Sequence, residues 1–154
     1  MVSGAYSSIP PAALGLGLAG ALPFWFAAGA FLSGGPITAM QALSVAVAYG
    51  AVILSFLGGV RGGAARGPID ENRRMREFTL SVIPSLAGFA AFFTPPHLGL
   101  SILISGFLLQ ALWDVTSADT GLLPGWFGRL RAILTLAATL PLVVLLVALL
   151  MGRA

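Results

Sequence analysis

The sequence contains no cysteine, no lysine and few charged residues of either sign. The absence of cysteine excludes disulfide bonds, thiolate chemistry and cysteine-based metal sites. Charged residues make up 8% of the 154-residue chain, whereas a soluble domain usually carries about 25%. Because 58% of the residues are hydrophobic, this balance excludes a water-soluble fold and indicates a polytopic membrane protein with short loops.

Five apolar runs have a length compatible with crossing a bilayer, for which roughly 20 residues or somewhat fewer are needed. No basic residue precedes the first run, so we expect a retained span and not a cleaved signal peptide. The sequence predicts an all-α fold, with residues 1–154 forming one bundle of five transmembrane helices. The predicted spans are Pro11–Leu32, Ile37–Val60, Phe78–Phe93, Leu98–Trp113 and Leu130–Met151.

The arginines are distributed unequally between the two sides of such a bundle. One side carries all but one of them, namely Arg61, Arg66, Arg73, Arg74, Arg76, Arg129 and Arg131, whereas the other side carries only Arg153. Since basic loops stay inside, we expect the N-terminus inside and the C-terminus outside, in a bacterial inner membrane. The net charge of +3 lies in these loops, so we expect anionic lipid headgroups and not nucleic acid as partners.

The spacing of the charged residues in the 61–77 loop predicts a short charged helix. Asp70 is the predicted N-cap, and Asp70/Arg74 and Arg73/Glu77 are four residues apart. We interpret this helix as a solvated segment that orients the chain. A docking surface or a lipid-headgroup site is the alternative.

Three charged residues, Arg61, Asp114 and Arg131, fall at the inner ends of predicted spans. Such residues could tie three helices together, or Arg61 could hold a carboxylate or a lipid phosphate. No nucleophile accompanies a base at a defined spacing, so we predict no catalytic residue and no enzyme. His97 is the only histidine and cannot build a metal site alone, so we expect neither a metal nor a cofactor.

Glycines four residues apart mark faces on which helices can approach closely. The predicted packing glycines are Gly17 in the first span and Gly58, Gly59, Gly62 and Gly63 around Arg61. "GLGLAG" at residues 15–20 matches a dinucleotide-binding motif by letter, but it lies inside a span and lacks the preceding strand that the motif requires.

Several segments, in order along the chain, resemble the DUF3429 family of small bacterial membrane proteins, whose mitochondrial relatives are the transmembrane protein 69 group. They are "LGLAGALPF" (16–24), "YGAVILSFLGGVRGG" (49–63), "SVIPSLAGF" (81–89), "GFLLQALWD" (106–114) and "LPGWFGRLRAILT" (123–135). The resemblance implies a membrane protein with the predicted spans and brings no activity with it.

Two functions from different classes follow. The first is a non-enzymatic packing, assembly or accessory subunit that binds other membrane protein subunits in an energy-transducing membrane. The second is a small transporter or lipid-binding protein that uses Arg61, Asp114 and Arg131.

Overall fold

The computed structural model describes residues 8–67, 69–118 and 124–152, which are helical apart from the turns between helices. The helices are α1 Pro11–Ser33, α2 Pro36–Ala64, α3 Glu71–Ser81, α4 Ile83–Phe92, α5 Pro96–Ala118 and α6 Gly125–Leu150. Three of them begin at a proline. Proline is favourable there because the N–H groups of the first turn have no acceptor within the helix, so the missing N–H costs no hydrogen bond. The prediction of an all-helical membrane protein is confirmed.

Four helices, α1, α2, α5 and α6, are long and apolar enough to cross a membrane. The predicted third span, Phe78–Phe93, is divided between α3, which is largely polar, and α4. With 10 residues, α4 is about 15 Å long, half of the hydrocarbon thickness of about 30 Å. By itself, α4 is therefore too short to be a complete span.

The division between α3 and α4 has its cause in Pro84, the second residue of α4. Proline has no N–H, so it cannot donate the helical hydrogen bond to the carbonyl of Leu80. Val82, between the helices, keeps a right-handed helical backbone with φ −79° and ψ −27°. As a result, α3 leads directly into α4. The helical hydrogen bonding is interrupted at Pro84, whereas the backbone direction continues from one helix into the next.

The bundle is organised around α2, which packs against α1, α4 and α5, while α6 packs against α1 and α5. Phe24, Leu54, Leu103, Phe107 and Leu142 form the centre of the core and are almost completely buried. Many large apolar side chains on the outer faces are exposed, which suits a protein whose surface is solvated by lipid.

Two aromatic side chains donate hydrogen bonds to backbone carbonyls of neighbouring helices. The Tyr49 hydroxyl of α2 donates to the Gly20 carbonyl of α1 over 2.8 Å. Trp25 Nε1 of α1 donates to the Ala137 carbonyl of α6 over 3.0 Å. That carbonyl lies four residues before Pro141, whose missing N–H leaves it without a helical donor. The indole therefore satisfies a group that the proline frees within the apolar bundle.

One end of the bundle contains the last turns of α2 and α5, the beginning of α6 and the start of α3, and we call it the charged end. Asp70 caps α3 there, since its Oδ2 accepts from the Arg73 backbone N–H over 3.2 Å, as the sequence predicted. Arg153, the arginine predicted for the opposite side, lies outside the described residues.

Candidate functional site

The central residue of the charged end is Arg61, in the last turn of α2. It lies on the same helical face as Leu54, Leu57 and Ala65, because these positions are three or four residues apart. That face packs into the bundle, and Arg61 has no exposed surface. A fully buried guanidinium in a membrane protein requires partners, since an unpaired charge there is costly.

Arg61 binds acidic residues of two other helices. Its Nη2 lies 2.5 Å from Oε2 of Glu77 in α3, and its Nη1 lies 3.3 Å from Oδ1 of Asp114 in α5. Nη1 also donates to the Trp113 carbonyl over 3.3 Å, and the guanidinium carbon is 4.0 Å from the centre of the Trp113 ring. This stacking adds a cation–π attraction to the ion pairs. One side chain thus joins α2, α3 and α5.

Asp114 extends the network to α6. Its Oδ2 lies 2.9 Å from Nε of Arg131, and its Oδ1 also accepts from Gln110 Nε2, one turn earlier in α5, over 3.3 Å. Both carboxylate oxygens are therefore occupied. We call Arg61, Glu77, Asp114 and Arg131 the buried charge cluster, since each is less than one-tenth exposed.

A further arginine contacts the cluster from the surface. Arg76 Nη2 lies 3.8 Å from Oε1 of Glu77, although two-thirds of the Arg76 side chain is exposed. Both oxygens of Glu77 therefore face guanidinium groups. Glu77 and Asp114 therefore each lie in ion pairs with two arginines, and the contact of Arg76 with Glu77 is the long, exposed one.

The structure brings together the three residues that the sequence proposed as a cluster, Arg61, Asp114 and Arg131. It adds Glu77, Gln110 and Trp113, which sequence reasoning did not include. Glu77 was interpreted as part of a solvated helix, yet it is 1% exposed. The available signal was the short connection between α2 and α3, which keeps an acidic residue of α3 within reach of the arginine that ends α2.

The five predicted packing glycines divide into two groups. Gly17 faces Leu134 of α6, and Gly58 and Gly62 face Ser81 at the end of α3. A Cβ on Gly58 would collide with the Ser81 carbonyl oxygen, so the two backbones approach each other there as closely as glycine permits. Gly59 and Gly63 face open space and lie on the exposed side of α2.

A closer approach that the sequence analysis did not include involves Gly88 of α4. A Cβ on Gly88 would lie 2.9 Å from the Ala51 carbonyl oxygen of α2. Together with Gly58, this glycine places α3 and α4 directly against α2, so that Glu77 reaches Arg61.

Within the described residues, no three histidine, aspartate or glutamate side chains come together as a metal site would require. His97, in the first turn of α5, lies outside the charged end. Among the described residues, the buried charge cluster is the one group of ionisable side chains that are buried together.

Comparisons with known proteins agree with the resemblance seen in the sequence motifs. The family described as "Protein of unknown function (DUF3429)" matches residues 9–147. The chain is 36% identical over 145 residues to "Transmembrane protein 69" of Xenopus tropicalis, across 90% of this chain and 55% of that relative. It thus spans about half the length of the relative. No solved structure matches the chain. From the extent of both matches, we conclude that this integral membrane protein belongs to the DUF3429 family.

Proposed function

We propose that the protein is a non-enzymatic accessory or assembly subunit of an energy-transducing membrane, the bacterial inner membrane in the simplest case. The observation that carries the proposal is that both buried carboxylates are engaged in ion pairs that join helices of the bundle. Glu77 and Asp114 are each held by two arginines, and Asp114 also accepts from Gln110. A general base, a proton relay or a metal ligand needs a carboxylate oxygen that is free to change partner.

A second line of support comes from the backbone carbonyl that loses its helical hydrogen-bond donor to a proline. Discontinuous membrane helices can form transport sites when such carbonyls face a substrate. Here the Ala137 carbonyl, freed by Pro141, accepts from Trp25 of a neighbouring helix. The polar backbone group thus stabilises packing between α1 and α6, as expected for a scaffold.

The surface for a partner subunit, in this proposal, is the outer face of α2 at Gly59 and Gly63. These glycines are four residues apart, exposed, and free of neighbours around the position of a Cβ. In lipid, small residues at this spacing allow a helix of another subunit to approach the backbone closely. The choice of an energy-transducing membrane rests on the resemblance to the transmembrane protein 69 group.

The orientation belongs to the same proposal. We place the charged end in the cytoplasm because its loops contain almost all of the arginines. We also propose that α3 and α4 together make a fifth pass. The apolar stretch from Phe78 in α3 to Phe92 in α4 is roughly 22 Å long, and the polar first turns of α3 extend it to the charged end. The turn after α4 shares a groove with Met40 and Ser44 near the beginning of α2.

Purification from the native membrane in mild detergent tests the accessory role. We expect a stoichiometric complex that is lost on Gly59→Leu without a fall in thermal stability. Gly15→Leu is the matched control, because Gly15 also faces open space but lies on α1. A chain that purifies without a partner, or a complex that Gly59→Leu and Gly15→Leu affect equally, would overturn the proposal.

A further inference from the structure

A cavity of about 390 Å³ lies between α1, α2 and α6, beside the buried charge cluster. Its walls are almost entirely apolar, and it extends from Phe127 and Arg131, near the start of α6, to Phe24 and Ala138 deeper in the bundle. Leu16 and Phe56, which also line it, are 77% and 64% exposed, so the cavity opens towards lipid between α1 and α2. Its volume is near the lower end of the range for small-ligand sites, about 300–1,000 Å³.

Arg131 is the charged residue among those that line this cavity. Its side chain is 7% exposed, and its Nε is used in the ion pair with Asp114. Its Nη2, however, is buried and has no hydrogen-bond acceptor among the described residues. A buried guanidinium N–H without an acceptor is unfavourable and uncommon in native proteins. Arg131 Nε also has no hydrogen-bond acceptor among the described residues, although it lies in the ion pair with Asp114, so Arg131 brings two such buried nitrogens to the cavity.

The chemistry of the donor favours an anion as the missing acceptor. The buried charge cluster is neutral in itself, with Arg61 and Arg131 facing Glu77 and Asp114. Hydrogen bonds from a guanidinium to an ionised carboxylate or phosphate are the strong ones, so an anionic oxygen suits Arg131 Nη2 best. Thr135, one turn after Arg131 on the same face of α6, also lines the cavity and adds a hydroxyl to the same wall.

We propose that this cavity binds a single-chain anionic amphiphile, whose carboxylate or phosphate oxygen accepts a hydrogen bond from Arg131 Nη2 and whose acyl chain fills the apolar part. Arg131 lies in the second turn of α6, so the head group stays near the membrane boundary while the chain follows Leu134 and Ala138 inwards. The exposed gap between Leu16 and Phe56 lets the chain enter from the bilayer. Binding requires the guanidinium to turn Nη2 towards the cavity that it already lines.

The head-group requirement is tested with the natural protein in detergent by native mass spectrometry. The probes are oleate, 1-oleoyl-lysophosphatidate, neutral monooleoylglycerol and inorganic phosphate. We expect one oleate or one lysophosphatidate to bind, monooleoylglycerol to bind at least about tenfold more weakly, and phosphate alone not to bind. The two anionic amphiphiles distinguish a carboxylate from a phosphate ligand. Equal binding of monooleoylglycerol and both anions would overturn the proposal.

Three variants locate the site. Arg131→Gln should lower oleate affinity about tenfold, and Thr135→Val should lower it less. Gly20→Leu should abolish binding, because Gly20 lines the cavity and its Cβ position is free apart from a contact of 3.9 Å with the Tyr49 hydroxyl. Gly15→Leu makes the same change on α1 outside the cavity and should leave affinity unchanged. Equal affinities of the two leucine variants would exclude this cavity, even if Arg131→Gln fails to fold.

The site is independent of the accessory role. Loss of a partner on Gly59→Leu reports on that role, whereas oleate binding by the purified chain reports on the cavity. A protein that keeps its partner but binds no anionic amphiphile would refute this inference alone.

Discussion

Arg61 and Glu77 form a buried ion pair between α2 and α3, with both side chains 1% exposed. The pair holds a polar helix, α3, against the end of an apolar one. It also supplies Arg61 with a partner in addition to Asp114, so the guanidinium is compensated from two directions. The stability of the charged end should therefore depend on the geometry of arginine as well as on its charge.

Arg61→Lys should strongly destabilise the protein. Lysine keeps the charge but cannot bind Glu77 and Asp114 through separate nitrogens while it stacks on Trp113. We expect a loss of about 1–3 kcal/mol in the free energy of unfolding, because the charge stays but charge-assisted hydrogen bonds are lost. Arg76→Lys is the matched control, because Arg76 is exposed, and it should change the free energy of unfolding by less than about 1 kcal/mol. Denaturant titration in detergent micelles measures both, and similar values for the two variants would contradict the expectation.

Asp114→Asn should destabilise the protein as well, and its effect should not add to that of Arg61→Lys. Residues in one ion-pair network couple by about 0.5–3 kcal/mol. The double variant should therefore lose less free energy of unfolding than the sum of the single variants. Strict additivity would show that the contact of 3.3 Å between Arg61 and Asp114 contributes nothing.

Gly58→Ala and Gly59→Ala should have opposite effects, although the residues are adjacent. A Cβ on Gly58 collides with the backbone of α3, which should cost about 1–3 kcal/mol. A Cβ on Gly59 meets open space, and alanine is a better helix former than glycine by about 1 kcal/mol. Thermal unfolding of the two variants in the same detergent measures the difference, and equal melting temperatures would refute the close approach of α2 and α3.

Trp25→Phe should destabilise the protein by about 0.5–1.5 kcal/mol, because it leaves the Ala137 carbonyl without a donor. Pro141→Ala provides the control, since alanine restores the helical N–H that reaches this carbonyl. In the Pro141→Ala background, Trp25→Phe should cost measurably less. An unchanged cost would show that the indole stabilises α1 and α6 by packing alone.

The topology can be tested with alkaline phosphatase inserted into loops of the otherwise intact chain. An insertion at Arg74 should be inactive, because we place the charged end in the cytoplasm, and one at Gly35 should be active. An insertion at Pro95 decides whether α3 and α4 cross together: activity shows a fifth pass. An inactive insertion there would contradict the fifth pass and the position of the turn after α4 beside the beginning of α2.

The long helices could be predicted because their signal is local. Apolar runs mark α1, α2, α5 and α6, and prolines mark the starts of three helices. Asp70 could be predicted as a cap because an acidic side chain before a helix accepts from its first N–H groups. Each of these features depends on residues within a few positions of one another.

The division of the third span was harder to predict, since hydropathy alone does not separate Phe78–Ser81 from the apolar residues after Ile83. The role of Glu77 was hidden for a different reason. Its spacing from Arg73 is compatible with a solvated helix, and its burial depends on contacts with α2. In the same way, spacing does not distinguish Gly58 from Gly59, because only the position of α3 decides which of them faces a backbone.

The two partners of Arg61 differ in how late they leave the ribosome. Glu77 follows Arg61 by 16 residues and Asp114 follows it by 53. At about 5–20 residues per second, glutamate arrives roughly 1–3 s after the arginine and aspartate roughly 3–10 s after it. The end of α2 can therefore be neutralised by α3 before α5 and α6 exist. We therefore expect Glu77 to be the first counter-ion of Arg61 during biogenesis, so that Glu77→Gln lowers the yield of inserted protein more than its effect on the finished bundle implies.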